Sequence, residues 1–219
     1  MTATKRILSA VSPRMSASSN TRWRWWKTPF IYHSRNTIPM IRWKPMQKFI
    51  PLMDTTKPFN IVGNSMGGIM TMELIRHVQP EKVVLISSVK SRSEMPLLLK
   101  QMKFTNMHKL LPGQGFIHSI QFGSMFKREV LKKPGLRHLA VSMAKNNSPK
   151  FLYWCVDAIV KWNGREDYRK DIIHIHGTKD EMFPFRNIKN AIPVEGGSHS
   201  MLLIQHDMVN KILQEQLSR

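Results

Sequence analysis

The sequence predicts an α/β fold: a parallel sheet flanked by helices, with a helical insertion near its middle. Three observations carry this. Phe59-Asn60-Ile61-Val62-Gly63-Asn64-Ser65-Met66-Gly67-Gly68 reads as an apolar strand that turns through a glycine–serine–glycine spacing into a helix. Lys82-Val83-Val84-Leu85-Ile86-Ser87 is a nearly continuous apolar run, as a strand covered on both faces requires. Two further apolar stretches, 171–176 and 191–195, each end in a glycine turn. Strands alternating with helices in this way pair in parallel, because each connection must cross the sheet.

Taken in order, the elements are strand 59–64, helix 66–78, strand 83–88, strand 171–176, strand 191–195 and helix 206–217. The last helix places Val209, Ile212, Leu213 and Leu217 on one face. The stretch from Ser88 to Asp171 is too long for a loop in a compact domain. Ser148-Pro149 is a helix start, with a capping residue before a first-turn proline. Phe151 to Trp162 then supplies an apolar face, and Pro112-Gly113-Gln114-Gly115 and Pro134-Gly135 divide the remainder. The expectation is a helical lid at about 92–165. It carries Met95, Met102, Met107, Met125 and Met143 with Phe104, Phe116, Phe122 and Phe126. That set fits either an adaptable acyl-chain pocket or an ordinary helical core.

The turn at Ser65 points to chemistry. Gly-x-Ser-x-Gly between a strand and a helix exposes the serine in a strained backbone conformation. Side chains at Gly63 and Gly67 would collide with strand and helix, and Gly68 continues the same elbow. The helix that follows aims its N–H groups at the site, and the Met66 backbone N–H is the expected oxyanion donor. The competing structural reading is a tight turn with a capping serine.

Two downstream segments weigh against that reading. Ile172-Ile173-His174-Ile175-His176-Gly177-Thr178-Lys179-Asp180 is a strand ending in a glycine turn and a carboxylate. Val194-Glu195-Gly196-Gly197-Ser198-His199-Ser200-Met201 is a short strand, a glycine turn and a histidine. The chain order is Ser65, Asp180, His199, one of the three orders in which a serine, an acid and a histidine form a hydrolytic triad.

On these residues the chain from about Gln47 to Arg219 resembles the α/β-hydrolase superfamily, in particular small bacterial serine hydrolases of the esterase and lipase kind with a helical cap. The resemblance implies hydrolysis of an ester-like bond with no cofactor, Ser65 as nucleophile, His199 as base and Asp180 as the residue that orients it. It does not imply a substrate.

Other candidates rank lower. His174 and His176 share one strand face, and a His-x-His pair can ligate a metal, but the sequence offers no convincing third ligand. Strand packing is the preferred reading, and no metal is expected. His206 lacks a glycine turn and is second to His199 as base; Asp207 reads as a first-turn helix charge. Glu181 lies one residue past the strand-end turn. Cys155 falls in an apolar helical pattern with Leu152, Ile159 and Trp162 and reads as a buried small hydrophobe.

At 219 residues the chain fits one domain with an insertion. One cysteine excludes an internal disulfide framework and fits a reducing, cytoplasmic setting. No apolar run approaches the length of a membrane helix. The net charge of +20 is unevenly spread. Residues 1–53 contain no Asp or Glu but hold ten basic residues: Lys5, Arg6, Arg14, Arg22, Arg24, Lys27, Arg35, Arg42, Lys44 and Lys48.

This N-terminus departs from the family pattern. The first glycine in the chain is Gly63, so no glycine-rich oxyanion loop precedes the elbow, and four of the six tryptophans fall between Trp23 and Trp43. Residues 1–46 are therefore expected to be an atypical basic, Trp-rich segment, poorly ordered or non-native, ahead of a hydrolase core at 47–219. An organelle-targeting segment and a basic arm for anionic surfaces are the alternatives. The fold is expected to lack its N-terminal strands, which leaves strand 59–64 with an open edge unless residues 1–58 cover it.

The expected function is cleavage of carboxylic or thio esters of small molecules, anionic or bearing an acyl chain. No nucleic-acid fold signature accompanies the basic residues. A hydrolase-like fragment with impaired activity is the competing expectation, since loss of one oxyanion donor costs about 10²–10³ in kcat.

Overall fold

The computed structural model describes residues 6–10, 58–106, 149–164 and 171–218, together with 137, 166 and 169. The Trp-rich segment, the family-like start at Gln47 and most of the expected lid, including Met107, Met125 and Met143, lie outside the described residues.

Among the described residues five strands form one parallel sheet in chain order: β1 (Arg6–Ala10), β2 (Phe59–Asn64), β3 (Lys82–Ile86), β4 (Ile173–Gly177) and β5 (Ile192–Val194). Between and after them stand α1 (Met66–Leu74), α2 (Leu97–Thr105), α3 (Pro149–Lys161), α4 (Met201–Ile204) and α5 (His206–Ser218). Strand β1 was not assigned from sequence. It pairs with β2 from Arg6 opposite Phe59 to Ala10 opposite Gly63, so the edge of the elbow strand is covered.

The period of two within β3 builds two cores from one strand. Val83 and Leu85 face one side, where Ile69 and Met72 of α1 pack with Val89, Met95, Trp162 and Phe183. Val84 and Ile86 face the other, against Val62, Ile175, Val194, Met201, Val209 and Leu213. Full burial of such side chains contributes roughly 1.5–3 kcal/mol each, so this central strand anchors both layers. Helix α1 is buried around most of its circumference, at Gly67, Gly68, Ile69, Thr71, Met72 and Leu74. It ends four residues before the predicted Val78, in turns closed by His77 N–H to Leu74 O and Val78 N–H to Leu74 O.

The described parts of the insertion are helical, and α3 begins at Pro149 as its sequence predicts. Arg92 joins the two pieces. Its guanidinium donates to the Val160 and Trp162 carbonyls at 3.0 and 3.1 Å and to those of Leu99 and Lys100 at 3.4 Å. The carbonyls at the end of α3 lack intrahelical partners, which is why a cation is favourable there. Trp162 is buried with its indole N–H donating to Glu73 of α1 at 2.8 Å.

Candidate active site

The polar residues of interest stand at the C-terminal ends of the strands: Ser65 after β2, Ser88 after β3, Asp180 after β4 and His199 after β5. In parallel α/β sheets this end collects ligand sites, because the loops there converge.

Ser65 has a positive φ outside the left-handed helical region, at φ 52° and ψ −123°, a conformation that costs a non-glycine residue of order 1–3 kcal/mol. The surroundings hold it there. The Ser65 N–H donates to Ile86 O at 2.9 Å, its carbonyl accepts from the Gly68 N–H at 2.9 Å, and the Ser88 hydroxyl donates to that same carbonyl at 2.7 Å. The approach is close enough to require glycine. A Cβ on Gly63 would lie 2.5 Å from Thr71 Oγ1 and 2.7 Å from Gly67 O, and one on Gly68 would lie 2.4 Å from Ser88 Cβ. Met66 opens α1, where N–H groups have no intrahelical acceptor.

The three residues singled out by sequence come together. Ser65 Oγ is 2.8 Å from His199 Nε2. His199 Nδ1 is 3.0 Å from Asp180 Oδ2 and 3.1 Å from Oδ1. Asp180 Oδ1 also accepts from the Met182 and Phe183 backbone N–H groups, both at 2.9 Å. Ser65 keeps partial exposure while Asp180 and His199 are buried. Burial alone would raise the Asp180 carboxyl. The hydrogen bond and charge of His199 and the Phe183 N–H outweigh it and hold the carboxyl below its usual range. The Phe183 ring stands edge-on to the His199 imidazole at 5.6 Å between centroids, which limits its rotation.

Of the remaining candidates, His176 reaches this group, its Nε2 lying 3.4 Å from Asp180 Oδ2. His206 is exposed at the start of α5 and pairs with Asp207 at 3.0 Å. Glu181 is exposed. Cys155 is half-buried, and burial around its sulfur pushes the thiol up to about 12, far from a reactive thiolate. His174 and His176 lie inside the sheet with their rings 5.2 Å apart and nearly perpendicular. His174 Nε2 meets Ser88 O at 3.0 Å and His176 Nε2 meets Phe183 O at 2.8 Å. Among the described residues no group of three or more His, Cys, Asp or Glu is placed to hold a metal ion. Among the same residues no helix is long and apolar enough to cross a membrane.

The sequence reading missed Ser88 and the buried pair of Lys90 and Glu94. Ser88 had a signal: a polar residue just past an apolar strand that faces the elbow glycines. Lys90 Nζ lies 3.6 Å from Glu94 Oε1 and donates to Lys189 O, while Glu94 accepts from the Lys90 and Lys189 backbone N–H groups at 2.7 and 3.1 Å.

Solved structures with this arrangement of strands are α/β-hydrolase fold proteins. A hydrolase from Pseudomonas aeruginosa PA01 superposes with a TM-score of 0.62 at 16% identity, over 80% of this chain and 71% of that one. A bromoperoxidase from Bacillus anthracis gives 0.55 at 21%, over 74% and 68%. A thermophilic esterase from Thermogutta terrifontis gives 0.56 at 14%, over 74% and 65%. No protein-family model and no curated protein sequence matches the chain. The chain therefore has the α/β-hydrolase fold.

Proposed function

We propose that this protein is a serine hydrolase that cleaves carboxylic or thio esters of small molecules through an acyl-enzyme intermediate. The observation that carries the reading is the continuous line from Ser65 Oγ through both nitrogens of His199 to a buried, ionised Asp180. In this reading Ser65 attacks the carbonyl carbon while His199 Nε2 takes its proton. Asp180, accepting from Nδ1–H, fixes the tautomer that leaves Nε2 free and stabilises the imidazolium. His199 then returns the proton to the leaving group. Water repeats the sequence on the acyl-enzyme.

The developing oxyanion would meet the Met66 N–H at the start of α1, where the helix dipole also favours negative charge. The helices around Arg92 would form the base of a lid, with substrate reaching Ser65 from its exposed side. An esterase is among the structural neighbours, which is compatible with this chemistry; the fold by itself does not select a substrate.

The test is labelling by a fluorophosphonate probe in the wild-type chain, Ser65→Ala and His199→Ala. Label confined to the wild type is the expected result. A folded wild-type chain that takes no label would overturn the reading and favour a fragment with the fold but not the activity.

A further inference from the structure

The nucleophile and the acid are joined by a second route that the triad does not use. From the Ser65 carbonyl it runs to the Ser88 hydroxyl at 2.7 Å, and from the Ser88 carbonyl to His174 Nε2 at 3.0 Å. His174 Nε2 also lies 3.3 Å from His176 Nδ1, and His176 Nε2 lies 2.8 Å from Phe183 O. The Phe183 N–H donates to Asp180 Oδ1 at 2.9 Å, and Asp180 leads through His199 back to Ser65 Oγ. The hydrogen bonds close a ring that begins and ends on one residue.

The acceptors fix the protons on this ring. Phe183 O and Ser88 O are carbonyl oxygens and can only accept, so Nε2 of His176 and Nε2 of His174 must each carry a hydrogen. A neutral His176 then presents a bare Nδ1 to the His174 N–H. A doubly protonated His176 would set two N–H groups against each other across 3.3 Å. His174 Nδ1 is buried and has no partner among the described residues, which is tolerable for a bare nitrogen and costly for an N–H.

Two imidazoles compete for one carboxylate oxygen: His199 Nδ1 at 3.0 Å and His176 Nε2 at 3.4 Å from Asp180 Oδ2. We propose that His176 is a positioning residue for Asp180, locked neutral and in its Nε2–H form by His174 and Ser88. Its Nε2–H holds the Phe183 carbonyl of the 180–183 turn while lying 3.4 Å from Asp180 Oδ2, and, being neutral, it leaves the charge of Asp180 to be paired by His199. Burial pushes both strand histidines toward the neutral form; the nearby Lys90 acts in the same direction and Asp180 against it.

Only the labelling arm of the test rests on the hydrolase reading. In the first arm, nitrogen-15 NMR of the wild-type histidine rings near neutral pH should show His174 and His176 neutral, with the proton on Nε2. A proton on Nδ1 of either ring, or a charged ring, overturns the proposal. In the second arm, the proton on His199 Nδ1 is followed by its downfield resonance, and the labelling rate by fluorophosphonate, in His176→Leu and His176→Gln. Leucine keeps the bulk and removes the donor; the glutamine amide can still donate to Phe183 O.

Leucine should shift the resonance and slow labelling about 10–100-fold, by analogy with the loss of a hydrogen-bond partner behind a metal ligand. Glutamine should restore most of both. Wild-type behaviour in leucine, or no recovery in glutamine, overturns the proposal. A wild-type chain without label would defeat the hydrolase reading, while the ring and His199 resonances would still decide this one.

Discussion

Gly177 and Gly197 pack backbone against backbone: a Cβ on Gly177 would lie 2.2 Å from the Gly197 carbonyl oxygen and 2.6 Å from its carbon. This contact sets the turn that carries Asp180 against the turn that carries His199. It is tied by Lys179 N–H to Gly197 O at 2.8 Å and Thr178 N–H to Val194 O at 3.0 Å. Gly177→Ala must push the two turns apart, because neither clashing atom belongs to a flexible side chain. We expect a loss of about 1–3 kcal/mol, the usual scale of overpacking, and a labelling rate reduced further than stability explains. Gly196→Ala is the control. Gly196 has φ +67° with open space around its Cβ, so it should pay only the left-handed backbone cost of about 1–2 kcal/mol. Urea midpoints for both variants check the comparison. Equal labelling rates in the two would break the link between this contact and the site.

The buried strand histidines make stability depend on pH. His174 falls from an ordinary 6.5 to about 3, mainly through burial, and His176 is lowered for the same first reason. Below 6.5 the unfolded chain binds protons that the folded chain refuses. Stability therefore falls as pH drops from about 6.5 toward 3, by ~1.4 kcal/mol per pH unit for one such site. Asp180 is also depressed; its contribution is present above the ordinary carboxylate value and disappears only as pH falls through its own lower one. Urea unfolding between pH 7.5 and 4.5 should show a shallower slope in His174→Leu than in the wild type. Parallel slopes would rule out His174 as the source.

The parts of this molecule that were legible in the sequence are those with local signals. The elbow, the two glycine turns and the order Ser65, Asp180, His199 each occupy a few consecutive residues whose types suit one backbone geometry. The start of α3 at Pro149 is of the same kind. Strand β1 was not legible. Arg6–Ala10 is a short, weakly patterned stretch whose partner begins at Phe59, and its role comes from that distant pairing. The ring through Ser88, His174 and His176 was missed for a similar reason. Its members are brought together by the neighbouring of β3 and β4, and the period-two pattern of His174 and His176 gives only their shared face. The end of α1 at Leu74 was overrun because His77 and Val78 continue the helical pattern while turn bonds have already replaced it.

Two ion pairs of similar spacing in sequence should differ sharply in worth. Lys90 and Glu94 are 4% and 0% exposed at their side chains, whereas Lys161 and Asp157 are 43% and 23% exposed. Burial lowers the Lys90 ammonium, and Glu94 opposes that shift by its charge and hydrogen bond. Glu94→Gln leaves a buried cation without its counter-charge and should cost about 3–5 kcal/mol. Asp157→Asn should cost under about 1 kcal/mol despite a shorter 2.7 Å contact, because water screens the pair. Replacing both members of the buried pair, as Lys90→Met with Glu94→Gln, should recover much of the loss. Denaturant titrations of the three variants decide the matter, and a Glu94→Gln chain as stable as Asp157→Asn would refute the buried-pair account.

Asp180→Asn separates the structural work of this residue from its electrostatic work. Asparagine keeps an oxygen that can accept from the Met182 and Phe183 N–H groups, so the 180–183 turn should persist with little loss of stability. It removes the negative charge and can present an N–H to His199, which favours the tautomer with the proton on Nε2, facing Ser65. A base already carrying that proton cannot take another from the hydroxyl 2.8 Å away. On the proposed mechanism the fluorophosphonate labelling rate should fall by about 10⁴, the scale of the corresponding change in a protease triad, while the urea midpoint moves little. A large drop in rate with an unchanged midpoint is the expected pair of results. A rate within tenfold of wild type would mean that Ser65 and His199 act without Asp180, and the acid would be assigned a structural role alone.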